Sequence, residues 1–170
     1  AQKMVSPAYQ NLDADQVKLF TTPDAGTLIR LIAGNIAGIQ GPGSTRTPIV
    51  MAHATILPGS QMVLPWNPAF NALAHVVKGS GFVGIDNHSF GVGQTAVFGT
   101  GDSITLAASP HEALDVILLG GQPIGEPVEQ YGPFVMNTRA ELQQAMDDYQ
   151  RGRLGTVPSG GVQPYRGPRK

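Results

Sequence analysis

Residues 121–155 read GQPIGEPVEQYGPFVMNTRAELQQAMDDYQRGRLG. The first half of this stretch, rich in glycine and proline, reads as an extended arm ending in a turn. The second half predicts the one well-marked helix of the chain, from about Arg139 to Arg151. Thr138 is placed as its N-cap, and Glu141 three residues on completes a capping box. Leu142, Ala145, Met146 and Tyr149 recur at helical spacing and form one apolar stripe. Arg151 and Arg153 lie where positive charge suits the helix dipole, and Gly152 or Gly155 stops the helix.

Upstream, helical periodicity gives way to short alternating runs. Val17–Phe20, Thr27–Ala33, Thr47–Ile56, Gln61–Leu64, Asn71–Val77, Phe82–Ile85, Gln94–Phe98, Ser103–Ala107 and Leu114–Leu119 all read as strands. Turn residues separate them: Pro58-Gly59, Gly79-Ser80-Gly81, Asp86-Asn87-His88, and Gly99-Thr100-Gly101-Asp102, which is read as a hairpin connection. The expectation is a mainly β jelly-roll barrel over residues 17–120. It is preceded by a lead-in over 1–16 with Tyr9 as an anchor, and followed by the arm and helix over 121–155. A tail over 156–170 that buries nothing is expected to be disordered.

Composition agrees. The 170 residues suit one domain; 41% are apolar and only 14% charged, with 22 glycines and 14 prolines. A net charge of −1 gives no electrostatic case for nucleic acid, and no apolar run is long enough for a membrane helix. There is no cysteine, which removes disulfides and thiolate ligands together and fits a reducing compartment. With no signal-like N-terminus, a cytoplasmic location is expected.

Several stretches together resemble the pirin family. Glu126-Pro127-Val128, then Gln130-Tyr131-Gly132-Pro133-Phe134-Val135-Met136-Asn137-Thr138, then Asp148-Tyr149-Gln150 with Gly152-Arg153 look like its C-terminal signature. Lys3-Met4, Tyr9-Gln10, Gly41-Pro42, Thr45, Thr47-Pro48, Pro58-Gly59, Asn71-Ala72 and Gly120-Gly121-Gln122-Pro123-Ile124 fit as well. Pirins are bicupins, two jelly-roll barrels in one chain, and this sequence resembles the second only, over roughly residues 3–155. The resemblance implies an iron-bearing first barrel, quercetin dioxygenase-like activity, and contacts with regulatory or metabolic proteins for the whole bicupin.

Cupin metal centres use histidine and carboxylate ligands, nitrogen and oxygen donors that suit iron. Counted from Gly59, the two histidine slots of the cupin motif fall on Pro65 and Asn67. The carboxylate slot falls on Asn71 or Ala72, with Gly79 closing the motif. In the second motif, anchored at Gly101-Asp102, the histidine slot falls on Ile104 or Leu114. Proline has no donor atom and a neutral amide is a poor ligand, so no ligand set survives in register and none is expected here.

The remaining metal candidates are His53, His75 and His111. His53 and His75 sit mid-strand. If their strands face each other across the barrel, both point inward and form a two-histidine site with help from Asn67 or Asn71; the bland reading is a core or edge histidine with one hydrogen bond. His111-Glu112 follows Pro110 at a loop, and His88 is placed in a solvent-facing turn. No GxSxG elbow is present, Gly91-Val92-Gly93 is followed by no helix, and Asp102 and Glu112 lack a partner for acid–base work.

The leading expectation is therefore a metal-free cupin with no catalytic residues, structural or partner-binding in role. It would pack against a metal-bearing N-terminal cupin or self-associate through an exposed barrel face. The alternatives are an iron-dependent dioxygenase using His53, His75 or His111, and a small-molecule-binding barrel without catalysis.

Overall fold

The structure is a computed structural model that describes residues 3–6 and 8–155. The expected tail, 156–170, lies outside the described residues. The chain forms two compact units, Ala1–Ile124 and Gly125–Lys170.

The first unit is a β-sandwich. Its larger sheet has six strands in the order β1 (Lys18–Thr21), β2 (Thr27–Ala33), β5 (Ile49–Ile56), β12 (Leu114–Gly121), β7 (Asn71–Lys78) and β10 (Thr95–Val97). The smaller sheet has four, in the order β6 (Gln61–Pro65), β11 (Ser103–Ala108), β8 (Ser80–Val83) and β9 (His88–Gly91). A separate hairpin pairs β3 (Asn35–Ile36) with β4 (Ile39–Gln40). All of these strand pairs are antiparallel, and non-sequential strands lie side by side, as in a jelly roll.

Strand parity builds the core. In β2, β5 and β12 every second residue is buried and the intervening ones are partly exposed. The buried set, including Ile29, Leu31, Ala52, Ala54, Ile56, Met62, Leu64, Val76, Ile104, Leu106, Val116 and Leu118, joins both sheets in one apolar cluster. The expected barrel is thus realised as two facing sheets that do not close.

Two local expectations change. Gly99–Asp102 is not a hairpin: β10 pairs with β7 in the six-stranded sheet, whereas β11 pairs with β6 and β8 in the other. The loop carries the chain between sheets, because pairing across the core gains more burial than pairing with the nearest neighbour in sequence. Tyr9 is not an anchor; it is 90% exposed. Gln10 does the anchoring, donating from Nε2 to the Pro42 carbonyl at 3.0 Å and accepting from the Ser44 N–H at 2.8 Å.

The second unit contains a hairpin absent from the sequence reading, β13 (Glu129–Tyr131) with β14 (Phe134–Met136). It turns at Gly132, whose φ of +55° suits glycine. The helix α1 spans Arg139–Gln150 with Thr138 as N-cap and both capping-box bonds to Glu141 in place. It packs on its own hairpin, with Leu142 buried and Phe134 meeting Tyr149 edge-on at 5.8 Å between ring centres.

Candidate functional site

The interior of the sandwich is where a cupin would hold a metal. Here it is lined by hydrocarbon: Met62, Leu64 and Trp66 along β6 and the turn after it, Ala72, Ala74 and Val76 on β7, Ile104 and Leu106 on β11, Leu114, Val116 and Leu118 on β12. Both second-motif slots, Ile104 and Leu114, are core side chains. Of the first-motif slots, Pro65, Asn67 and Asn71 are exposed and Ala72 is buried. Asn67 spends its Oδ1 on the Ala69 N–H at 2.9 Å, an Asx turn that shapes the loop after β6. Among the described residues, no group of three or more His, Asp, Glu or Cys side chains is arranged to hold a metal ion. The residues in the cupin slots do not fit iron.

His53 and His75 do not face each other across the core. They alternate with buried Ala52, Ala54, Ala74 and Val76, so both project from the outer face of the six-stranded sheet. They lie in one cross-strand row, His53 opposite Ile117 and Ile117 opposite His75. Two strand spacings separate their backbones by roughly 9–10 Å. The two strands share one sheet rather than facing each other across the core, so the condition for an inward pair is not met and the reading of each as a histidine with its own hydrogen bond is the one that fits. Each histidine has its own partners. His75 Nδ1 lies 2.8 Å from Thr95 Oγ1. His111 is exposed and its backbone N–H reaches Ser109 Oγ at 3.3 Å, while Glu112 accepts from the Ser80 hydroxyl at 2.6 Å. His88 is exposed at the start of β9.

The environment of His53 is the most structured of the four. Arg30 on β2 donates to Thr55 Oγ1 at 2.9 Å and faces His53 Nδ1 at 3.3 Å. Thr55 donates to Asp115 at 2.7 Å, and His53 Nε2 lies 3.5 Å from the same carboxylate. Arginine only donates, so Nδ1 is the acceptor and the ring proton sits on Nε2 toward Asp115. Partial burial, then the Arg30 charge, hold the His53 imidazole below its ordinary value of 6.5, against the opposing pull of Asp115. With a depressed folded-state value, the unfolded chain takes up the proton first. The stabilisation is complete above about 6.5 and is lost as pH falls below it. Thermal midpoints measured from pH 7 to pH 5 are expected to fall, and His53→Gln is expected to flatten that slope. An unchanged slope in the variant would rule His53 out as the source.

The second feature of the site is a cavity of about 550 Å³ at the rim of the sandwich. The β3–β4 hairpin, the Gly43–Ile49 segment and the Pro65–Phe70 loop line it. Pro65, Trp66 and Asn67 all border it, so the first-motif slots open onto this space. Trp66 is buried, and its indole N–H has no acceptor among the described residues. Sequence reasoning did not find the cavity, since its walls come from segments separated by some thirty positions.

Comparison with known proteins places these features in a family. A model of the pirin C-terminal cupin domain matches residues 51–155. Pirin-1 of Arabidopsis thaliana is 35% identical over 157 residues, covering 91% of this chain and 54% of its own length. The pirin of Homo sapiens is 31% identical, covering 91% and 53%. A crystal structure of quercetin 2,3-dioxygenase from Acinetobacter baumannii superposes with a TM-score of 0.80 at 30% identity, covering 92% of this chain and 54% of that one. The chain spans about half the length of the curated relatives it matches. Among the described residues no helix is long and apolar enough to cross a membrane.

Proposed function

Because this chain belongs to the pirin family and corresponds to its C-terminal cupin, we propose that it works as the metal-free second cupin of a two-cupin protein. Its role is structural: it packs against a metal-bearing N-terminal cupin and offers surface to a regulatory or metabolic partner. The iron, and any quercetin dioxygenase-like turnover of the whole protein, belong to that other half. The observation that carries this reading is the hydrocarbon interior, with Ile104 and Leu114 in slots that would need nitrogen or oxygen donors.

Elemental analysis tests it. The purified 170-residue protein, incubated anaerobically with excess Fe(II) and desalted, is expected to retain less than about a tenth of an equivalent of iron. Stoichiometric iron that is lost on His53→Ala, His75→Ala or His111→Ala would overturn the proposal and restore the dioxygenase reading. Turnover of a flavonol by the isolated chain would do the same.

A further inference from the structure

The rim cavity has walls that are built rather than incidental. Gly41 and Gly43 press against β2 so closely that a Cβ on either would meet Ala33 at 2.9 Å or less. Their N–H groups donate to Gly34 and Ile32 at 2.8 Å each. Gln10 then clamps the same loop from outside through Pro42 and Ser44. Gly43, Ser44, Thr45 and Pro48 of this braced segment face the cavity.

The chemistry of the walls selects the occupant. No lining residue carries a charge. A carboxylate or phosphate entering would lose hydration without a countercharge. A purely apolar guest is equally unsuited. The Ser44 hydroxyl and the Asn67 Nδ2 make no hydrogen bond among the described residues, Gln40 makes only long ones at 3.4 and 3.5 Å, and the Trp66 N–H is unpaired. Covering these groups with hydrocarbon would leave each one unsatisfied. Hydroxyl groups both donate and accept, and so match the amides of Gln40 and Asn67 and the serine together. The Trp66 and Phe70 rings at the wall suit the C–H surface of a saturated ring. The volume is in the range of small-molecule sites.

We propose that this cavity binds a neutral, hydroxyl-rich small molecule, of the size of one or two sugar rings.

Trp66 is the single tryptophan of the sequence, so the site carries its own reporter. The full chain is titrated with neutral probes (glucose, galactose, myo-inositol, maltose, lactose, cellobiose) and with glucuronate and glucose 6-phosphate as charged counterparts. Ligand-observed saturation-transfer NMR and Trp66 emission are the readouts. At least one neutral probe is expected to saturate below about 10 mM, with its charged counterparts at least about ten-fold weaker. Ser44→Ala is expected to weaken binding about five-fold at unchanged thermal midpoint; Trp66→Phe, which shrinks a buried ring and so lowers the midpoint, is expected to weaken binding as well, followed by NMR. Three outcomes overturn the proposal: no neutral probe saturating, equal affinity for the charged probes, or affinity unchanged in both variants.

Discussion

Gly120→Val is expected to destabilise the protein by about 3 kcal/mol or more, the upper end of what overpacking costs. Gly120 lies in β12 between Val50 of β5 and Ala72 of β7. A Cβ at this position would collide with the Asn71 carbonyl oxygen and sit 2.6 Å from Trp66 Cζ2. The first obstacle is backbone and cannot rotate away. The second is a buried ring wedged into the rim. For a chain of this size each kcal/mol moves the midpoint by about 2–4 °C, so a fall of roughly 6–12 °C is expected in calorimetry. The emission of Trp66 is expected to shift to the red as the ring is displaced toward water. Trp66→Phe in the same chain is expected to restore only part of the loss, since it leaves the collision with Asn71 in place. A Gly120→Val protein melting within about 2 °C of the parent would show that β12 and the Trp66 loop do not pack as described.

The isolated chain is also expected to self-associate, and light scattering at about 100 µM is expected to report twice the monomer mass or more. The outer face of the six-stranded sheet is the surface expected to associate. Across it run Met51, Leu119, Leu73 and Val97, in register on four successive strands. Val97 is 80% exposed and Val77 on the same face 52%. A row of apolar side chains on an outer sheet face is a surface that association would bury, and a second copy of this chain is expected to cover it. Replacing Leu73 and Val97 together by lysine is expected to return the protein to monomer with little loss of stability, since neither contributes to the core between the sheets. A monomeric parent at that concentration, or a double variant that associates as before, would discard this face as the interface.

Much of the architecture was legible before any coordinates. Alternation along Thr27–Ala33 marked a strand, because a strand with one buried face repeats every two residues, and Leu114–Leu119 read as a core strand from its apolar run. Thr138 and Glu141 announced the helix start, since orphan N–H groups at a helix end need local acceptors. The residue types in the cupin slots were equally readable: ligand chemistry is a property of residue type, and Pro65, Ile104 and Leu114 offer no suitable donor atom in their side chains.

What escaped was partner choice. His53 and His75 looked like a facing pair because each sits mid-strand. Whether two strands share a sheet or oppose one another is decided by pairing over long sequence separations. The Gly99–Asp102 loop met every local criterion for a hairpin and nonetheless joins two sheets. The β13–β14 hairpin was hidden in a proline-rich arm, since three-residue strands carry too few alternations to stand out. The rim cavity could not be read at all: Gln10, the Gly41–Thr45 loop and Trp66 meet only once the sandwich is folded.

By itself, then, the sequence determined the run of short strands, the capped helix, the family resemblance and the residue types in the cupin metal slots, all of which follow from residue chemistry and short-range periodicity. Only the tertiary structure decided that two histidines share an outer face, that an apolar row crosses the large sheet, and that an uncharged, hydrogen-bonding cavity opens beside Trp66. Those features arise from contacts between segments far apart in the chain, which burial of the common core brings together and no local pattern encodes.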